Sequence, residues 1–181
     1  MAITIEIKNL NEAFKKFDKM SKEVKKEIKD EVAASALNIQ SNAKKLAPVN
    51  FGKLRQSIYV EEKSKSANQF MYVIGAAAKY APYIEFGTGG KVSIPSGFAD
   101  EASKFKGKTG GKFSDLVKAL TEWVSKKGIA SGKKSKSVAF MIALSIIRKG
   151  IRPQPFLIPA FQAEKPKLIL KIKDVIKNAK S

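Results

Sequence analysis

The stretch Ala78–Gly90, AKYAPYIEFGTGG, gathers the residues best suited to chemistry. It holds one acid, Glu85, the rings of Tyr80, Tyr83 and Phe86, and the glycines Gly87, Gly89 and Gly90 after them. Carboxylate acid–base chemistry works with a pair, and the nearest acids along the chain are Glu62 and Asp100, so a partner would have to come from the fold. The structural alternative is that Glu85 caps a backbone N–H or pairs with a lysine. A phosphate loop needs its glycines at fixed spacing before Lys-Ser or Lys-Thr, and that spacing is absent here and in Gly107–Lys112, GKTGGK. The dinucleotide-binding glycine pattern is absent too. The glycines read instead as a sharp exit from a short element into a loop. Tyr80, Tyr83 and Phe86 recur at i, i+3 and i+6, one face of a helical turn, which docks into a core or interface or offers a base-stacking platform.

The chain has no histidine and no cysteine, so imidazole catalysis, thiolate metal sites and disulfides are excluded. A metal would have only carboxylates, and no acidic cluster has calcium-loop spacing. A Ser–Lys pair is formally available, but no position marks one out. The sequence reads as a non-enzyme with no catalytic, cofactor-binding or metal residues.

Thirty-five Lys and Arg against 16 Asp and Glu give a formal charge of +19. That charge attracts polyanions, or simply keeps a lysine-rich surface solvated. Arginine is confined to Arg55, Arg148 and Arg152, which argues against bidentate base readout. The opening MAITIEIKNL alternates rather than forming a signal-peptide run, and Val138–Ile147 is too short to cross a bilayer, so a soluble, intracellularly made protein is expected.

The elements that must position these residues follow from periodicity. Ile3, Ile5 and Ile7 alternate as in a strand, and Asn9 with Glu12 offers a capping box. Leu10, Phe14, Phe17, Met20, Val24, Ile28, Val32, Ala36, Ile39, Ala43 and Leu46 form a stripe of helical repeat. One helix carries it, or two with Ser21 as the second cap. Pro48 and Gly52 end it. Ser57–Lys63 and Phe70–Ala76 read as a strand hairpin across the polar 64–69 loop. Residues 87–111 read as a long loop, and Phe113–Val124 as a helix ending near Gly128. ASGKKSKS reads as a second loop, and Val138–Lys149 as a helix capped by Ser137 and stopped by Gly150. The prolines of Gly150–Ala160 argue for an extended edge segment, and Pro166 for the first turn of a last helix. The expected fold is α+β: a long N-terminal helix packed on a small, mostly antiparallel sheet, with a helical insertion and a C-terminal helix. We read residues 1–181 as one domain with an insertion at about 88–149, a long loop plus two helices.

Three motifs in order carry a resemblance. Ala43, Ala47 and Pro48 precede Gly52, Leu54, Arg55 and Ser57. Tyr80, Ala81, Tyr83, Glu85, Phe86, Gly87 and Thr88 follow, then Pro153, Pro155, Phe156, Leu157, Pro159 and Ala160. Together they resemble the neck and tail-completion (head–tail joining) proteins of tailed bacteriophages, over roughly residues 30–165. Asn50-Phe51 departs from the family, where threonine commonly precedes the glycine, and the 91–149 region looks like the longer form with a helical insertion. The resemblance implies a structural virion protein at the head–tail junction, made in the host bacterial cytoplasm. It implies a homomeric ring, a hexamer or alternatively a dodecamer, built through heterologous contacts. Its partners would be itself, connector or head-closure proteins, tail-terminator or tail-tube proteins, and genomic DNA passing non-specifically through the lumen. No membrane partner and no cofactor are implied. The motif residues would serve packing and interface, residues 88–112 would reach a neighbouring subunit, and most lysines would face outward or meet acidic neighbours. The alternative is a basic, histone-like nucleic-acid-binding protein.

Overall fold

A computed structural model of the chain describes residues 3–6, 22–49, 52–63, 70–104 and 112–179. The capping box at Asn9 and Glu12, the stripe from Leu10 to Met20, Ser21, Asn50-Phe51 and GKTGGK up to Gly111 lie outside the described residues. The chain divides into two compact units, Met1–Glu85 with Gln154–Ser181, and Phe86–Pro153.

The first unit is α+β. Helix α1, Lys22–Leu46, buries Ile28, Val32, Ser35, Ala36, Ile39 and Ala43 along one stripe. Its buried alanines, Ala36 and Ala43, flank Ile39 in the second half, where the small side chains let the helix approach its neighbours closely. Glu23 in its first turn and Lys44 and Lys45 in its last complement the helix dipole. A three-stranded antiparallel sheet has the order β1 (Ile3–Glu6), β3 (Tyr72–Ala76), β2 (Ile58–Glu62). Ala76 stands opposite both Ile3 and Ile58, which fixes the register on both sides. The central strand β3 is buried at all five positions, as expected of a strand paired on both edges and covered by a helix. Gln40 on α1 donates to the Ile58 carbonyl at 2.9 Å, and Lys29 pairs with Glu62 at 3.1 Å.

The last helix, α7 (Leu157–Asn178), packs along α1. Lys171 meets Glu31 at 2.7 Å and Asn38 meets Glu164 at 3.1 Å, so the two helices run antiparallel. Ala160, Glu164, Leu168, Ile172 and Val175 form its buried stripe. Glu164 is buried yet served by Asn38 and by Lys167 at 3.8 Å.

Two expectations about this helix are corrected. Leu157–Ala160 are its first turn rather than an extended segment, and Pro166 lies inside it. Proline is tolerated at position 159 because the first N–H groups of a helix have no intrahelical partner to lose. At position 166 it removes one internal bond on an exposed face.

The second unit is helical. After α3 (Ala81–Phe86), whose last residue opens this unit, come a single 3-10 turn, Gly89–Lys91, and the short helix α4, Ala99–Ser103. Both lie where the sequence reads as unbroken loop. Helices α5 (Phe113–Lys126) and α6 (Lys133–Lys149) form a hairpin. Helix α6 begins five residues before the expected Val138, so Ser137 is not its cap. Lysine is a good helix former, and Ser135 is buried, donating to the Ala130 carbonyl and accepting from Ser125. Gly150 ends α6 with φ +72°, as expected.

Candidate functional site

The motif residues resolve into devices that finish helices and hold chain crossings. Gly52 takes φ +72° and starts the single-turn helix α2, Lys53–Gln56. Leu54 is buried, and the Ser57 hydroxyl donates to the Leu54 carbonyl at 2.8 Å. Arg55 reaches back to the end of α1: its Nε donates to the Ala47 carbonyl at 3.2 Å and a terminal nitrogen to Lys45 at 3.4 Å. Those carbonyls are among the ones a helix end leaves without partners, and a guanidinium satisfies them while complementing the dipole. Pro48 follows directly and prevents the helix from continuing.

Glu85 does the converse job for α7. Its carboxylate is 1% exposed and accepts three backbone N–H groups: Phe156 at 2.9 Å, Leu157 at 3.0 Å and Ile158 at 2.9 Å. The next residue, Pro159, has no N–H. All four amides left over at this helix start are thereby accounted for by one side chain and one proline. Of the two structural alternatives for Glu85, capping is the one realised. Burial pushes the carboxyl above its ordinary value, against the three N–H bonds that pull it down. Nearby, Gln154 N–H donates to the Ile84 carbonyl at 2.7 Å. Phe156, Leu157 and Ala160 are buried, Pro155 is exposed and Pro159 half-buried.

In the second unit, Thr88 and Ile151 are tied twice. Thr88 N–H donates to the Ile151 carbonyl at 3.0 Å, and Ile151 N–H to the Thr88 hydroxyl at 2.8 Å. Gly87 has φ +77°, and a Cβ there would stand 2.8 Å from the Ile151 carbonyl and 2.9 Å from the Pro153 ring. Phe86 is buried, Tyr83 half-buried and Tyr80 43% exposed, so the three rings do not form a common open face.

Sequence reasoning missed Gly150 as a partner of this crossing, where a Cβ would lie 2.0 Å from the Thr88 carbonyl. Its only sequence signal was the end of a helix. It also missed the Asn38–Glu164 link, which has no local signature.

A buried carboxylate engaged by three amides is closed to substrate. Among the described residues no group of three or more acids could hold a metal, and no helix is long and apolar enough to cross a membrane.

With this geometry in place, one family model matches within the first half of the chain. Residues 11–87 match the bacteriophage HK97-gp10 family. The family's description is "Bacteriophage HK97-gp10, putative tail-component". This segment, with α1, the β2–β3 hairpin, Arg55 and Glu85, is similar to that phage tail-component family. The Pro153–Ala160 motif, which receives the Glu85 cap, lies beyond the match. No curated protein and no solved structure matches the chain.

Proposed function

We propose that this chain is a structural virion protein of the head–tail junction, acting in neck or tail completion as a homomeric ring that joins the portal connector to the tail and lets DNA pass. The carrying observation is the HK97-gp10 family match over residues 11–87, joined to the later Pro153–Ala160 motif by the Glu85 cap. In this reading the motifs are stiffeners. Arg55 closes one end of α1 and Glu85 opens α7, so the paired helices present a fixed surface to a neighbouring copy. Large apolar side chains left exposed support subunit contact: Leu37, Leu46, Val49 and Tyr80 in the first unit, Phe140, Met141 and Ile147 in the second. Residues at about 88–149 are the insertion carried by this family core, and residues 88–112 reach an adjacent subunit or ring.

The role is architectural and not enzymatic, with connector or head-closure and tail-terminator or tail-tube proteins as partners, in the virion. Light scattering and electron microscopy of the purified chain test this. Closed rings of six or twelve copies are expected, on its own or with a connector protein. A chain that stays monomeric with and without that partner overturns the ring.

A further inference from the structure

The positive charge is unevenly distributed. Phe86–Pro153 has fourteen Lys and Arg against four Asp and Glu, which is +10 of the chain's +19. Along the chain, no acid occurs between Glu122 and Glu164. The turn of the α5–α6 hairpin lies inside that acid-free stretch and carries Lys126, Lys127, Lys133, Lys134 and Lys136, all exposed. In the first unit lysines are interleaved with acids along the helices, as in the pairs Lys29–Glu62 and Lys171–Glu31.

The turn has a fixed shape. Ile129 N–H donates to Val124 and Gly128 N–H to Ser125, while the buried Ser135 hydroxyl bridges Ser125 and the Ala130 carbonyl. Gly128, Ala130, Ser131 and Gly132 are small, and Ile129, 52% exposed, is the one large side chain between the two lysine pairs. Three of those lysines sit at the start of α6, where the dipole disfavours cations and where the first turn has no acid. The charge is held there at a cost to the helix.

We propose that this tip, Lys126–Lys136, is a contact surface for the sugar–phosphate backbone of DNA, independent of base sequence. Lysine is a point charge without the guanidinium fork, suited to phosphates in any register rather than to one carboxylate geometry. Protein–protein interfaces are depleted in lysine, whereas DNA interfaces are strongly cationic. The inference goes beyond the ring reading and does not depend on it.

The test measures binding of the full chain to a 30-base-pair duplex of arbitrary sequence by fluorescence anisotropy, over a range of KCl concentrations. One variant replaces the five tip lysines by glutamine. A matched variant replaces Lys22, Lys26, Lys165, Lys173 and Lys177, which are exposed in the first unit. The tip variant should lose affinity about tenfold or more and flatten the log–log salt slope by about 2 to 4.5, since each phosphate contact contributes about 0.9. The matched variant should stay within about threefold. A second tip variant, Lys133→Glu with Lys134→Glu, favours the helix start and so separates loss of binding from loss of folding. Equal losses in tip and matched variants would reduce the effect to net charge and overturn the proposal. So would a tip variant that keeps DNA but no longer binds poly-L-glutamate, which would make the surface one for an acidic protein. Light scattering on the same samples reads the ring independently: absence of rings with a tip-specific DNA loss would sink the ring reading alone.

Discussion

Replacing Glu85 isolates the contribution of one buried carboxylate to the start of α7. In wild type one oxygen accepts from Phe156 and Leu157 and the other from Ile158, at 2.9 to 3.0 Å. Hydrogen bonds to a charged group contribute about 1.5–3 kcal/mol each, which would sum to well over 4 kcal/mol. That sum overstates the effect, because burial of the charge opposes it: desolvation is the largest influence on this carboxyl and leaves it above its ordinary value. In Glu85→Gln the amide oxygen can keep two of the N–H bonds, while the NH2 group faces the third donor. The expected cost is one stranded amide, about 1–3 kcal/mol. Glu85→Ala strands all three and leaves a void, for about 3–5 kcal/mol.

Amide exchange at Phe156, Leu157 and Ile158 reports this locally, with a tenfold faster rate for each ~1.4 kcal/mol. Because the folded carboxyl is raised above its unfolded value of 4.5, its contribution is full below that pH and is lost as pH rises through the folded value. The wild-type advantage over Glu85→Gln should therefore shrink from acid toward neutral pH. Exchange unchanged in both variants, or a wild-type advantage that grows with pH, would refute the reasoning.

Arg55→Lys should destabilise by about 0.5–1.5 kcal/mol, seen as a lower urea midpoint at constant slope, because an ammonium cannot span the Ala47 and Lys45 carbonyls together. Gly150→Ala should disrupt the second unit, since its Cβ would fall 2.0 Å from the Thr88 carbonyl. Gly90→Ala, with open space and ordinary φ, should lie within about 1 kcal/mol of wild type by thermal melting. Phe86→Asp puts a charge at a buried position and should lower the melting temperature sharply and impair assembly, as read by circular dichroism and light scattering.

Much of the architecture was legible where periodicity is strong and local. The stripe from Ile28 to Ala43, the β2–β3 hairpin and α5 all follow from spacing alone. The misplaced starts of α6 and α7 share a cause: residues with two roles. Lysines in KKSK look like a solvated loop yet favour helix, and the prolines of RPQPFLIP look like breakers, though one sits where a helix can spare an N–H. The short α4 offers a single turn, too little to show a period. Glu85 was recognisable as structural, but its partners lie some seventy residues away, beyond any local pattern. The Asn38–Glu164 link and the close approach of Gly150 to Thr88 are tertiary in the same sense.

The central claim is a place in the particle, and imaging phage particles made with and without this chain addresses it directly. The account predicts that particles lacking it accumulate as filled heads and separate tails, and that the restored protein appears as a closed ring at the junction. Normally joined particles without it, or density for it anywhere but the junction, would contradict the account.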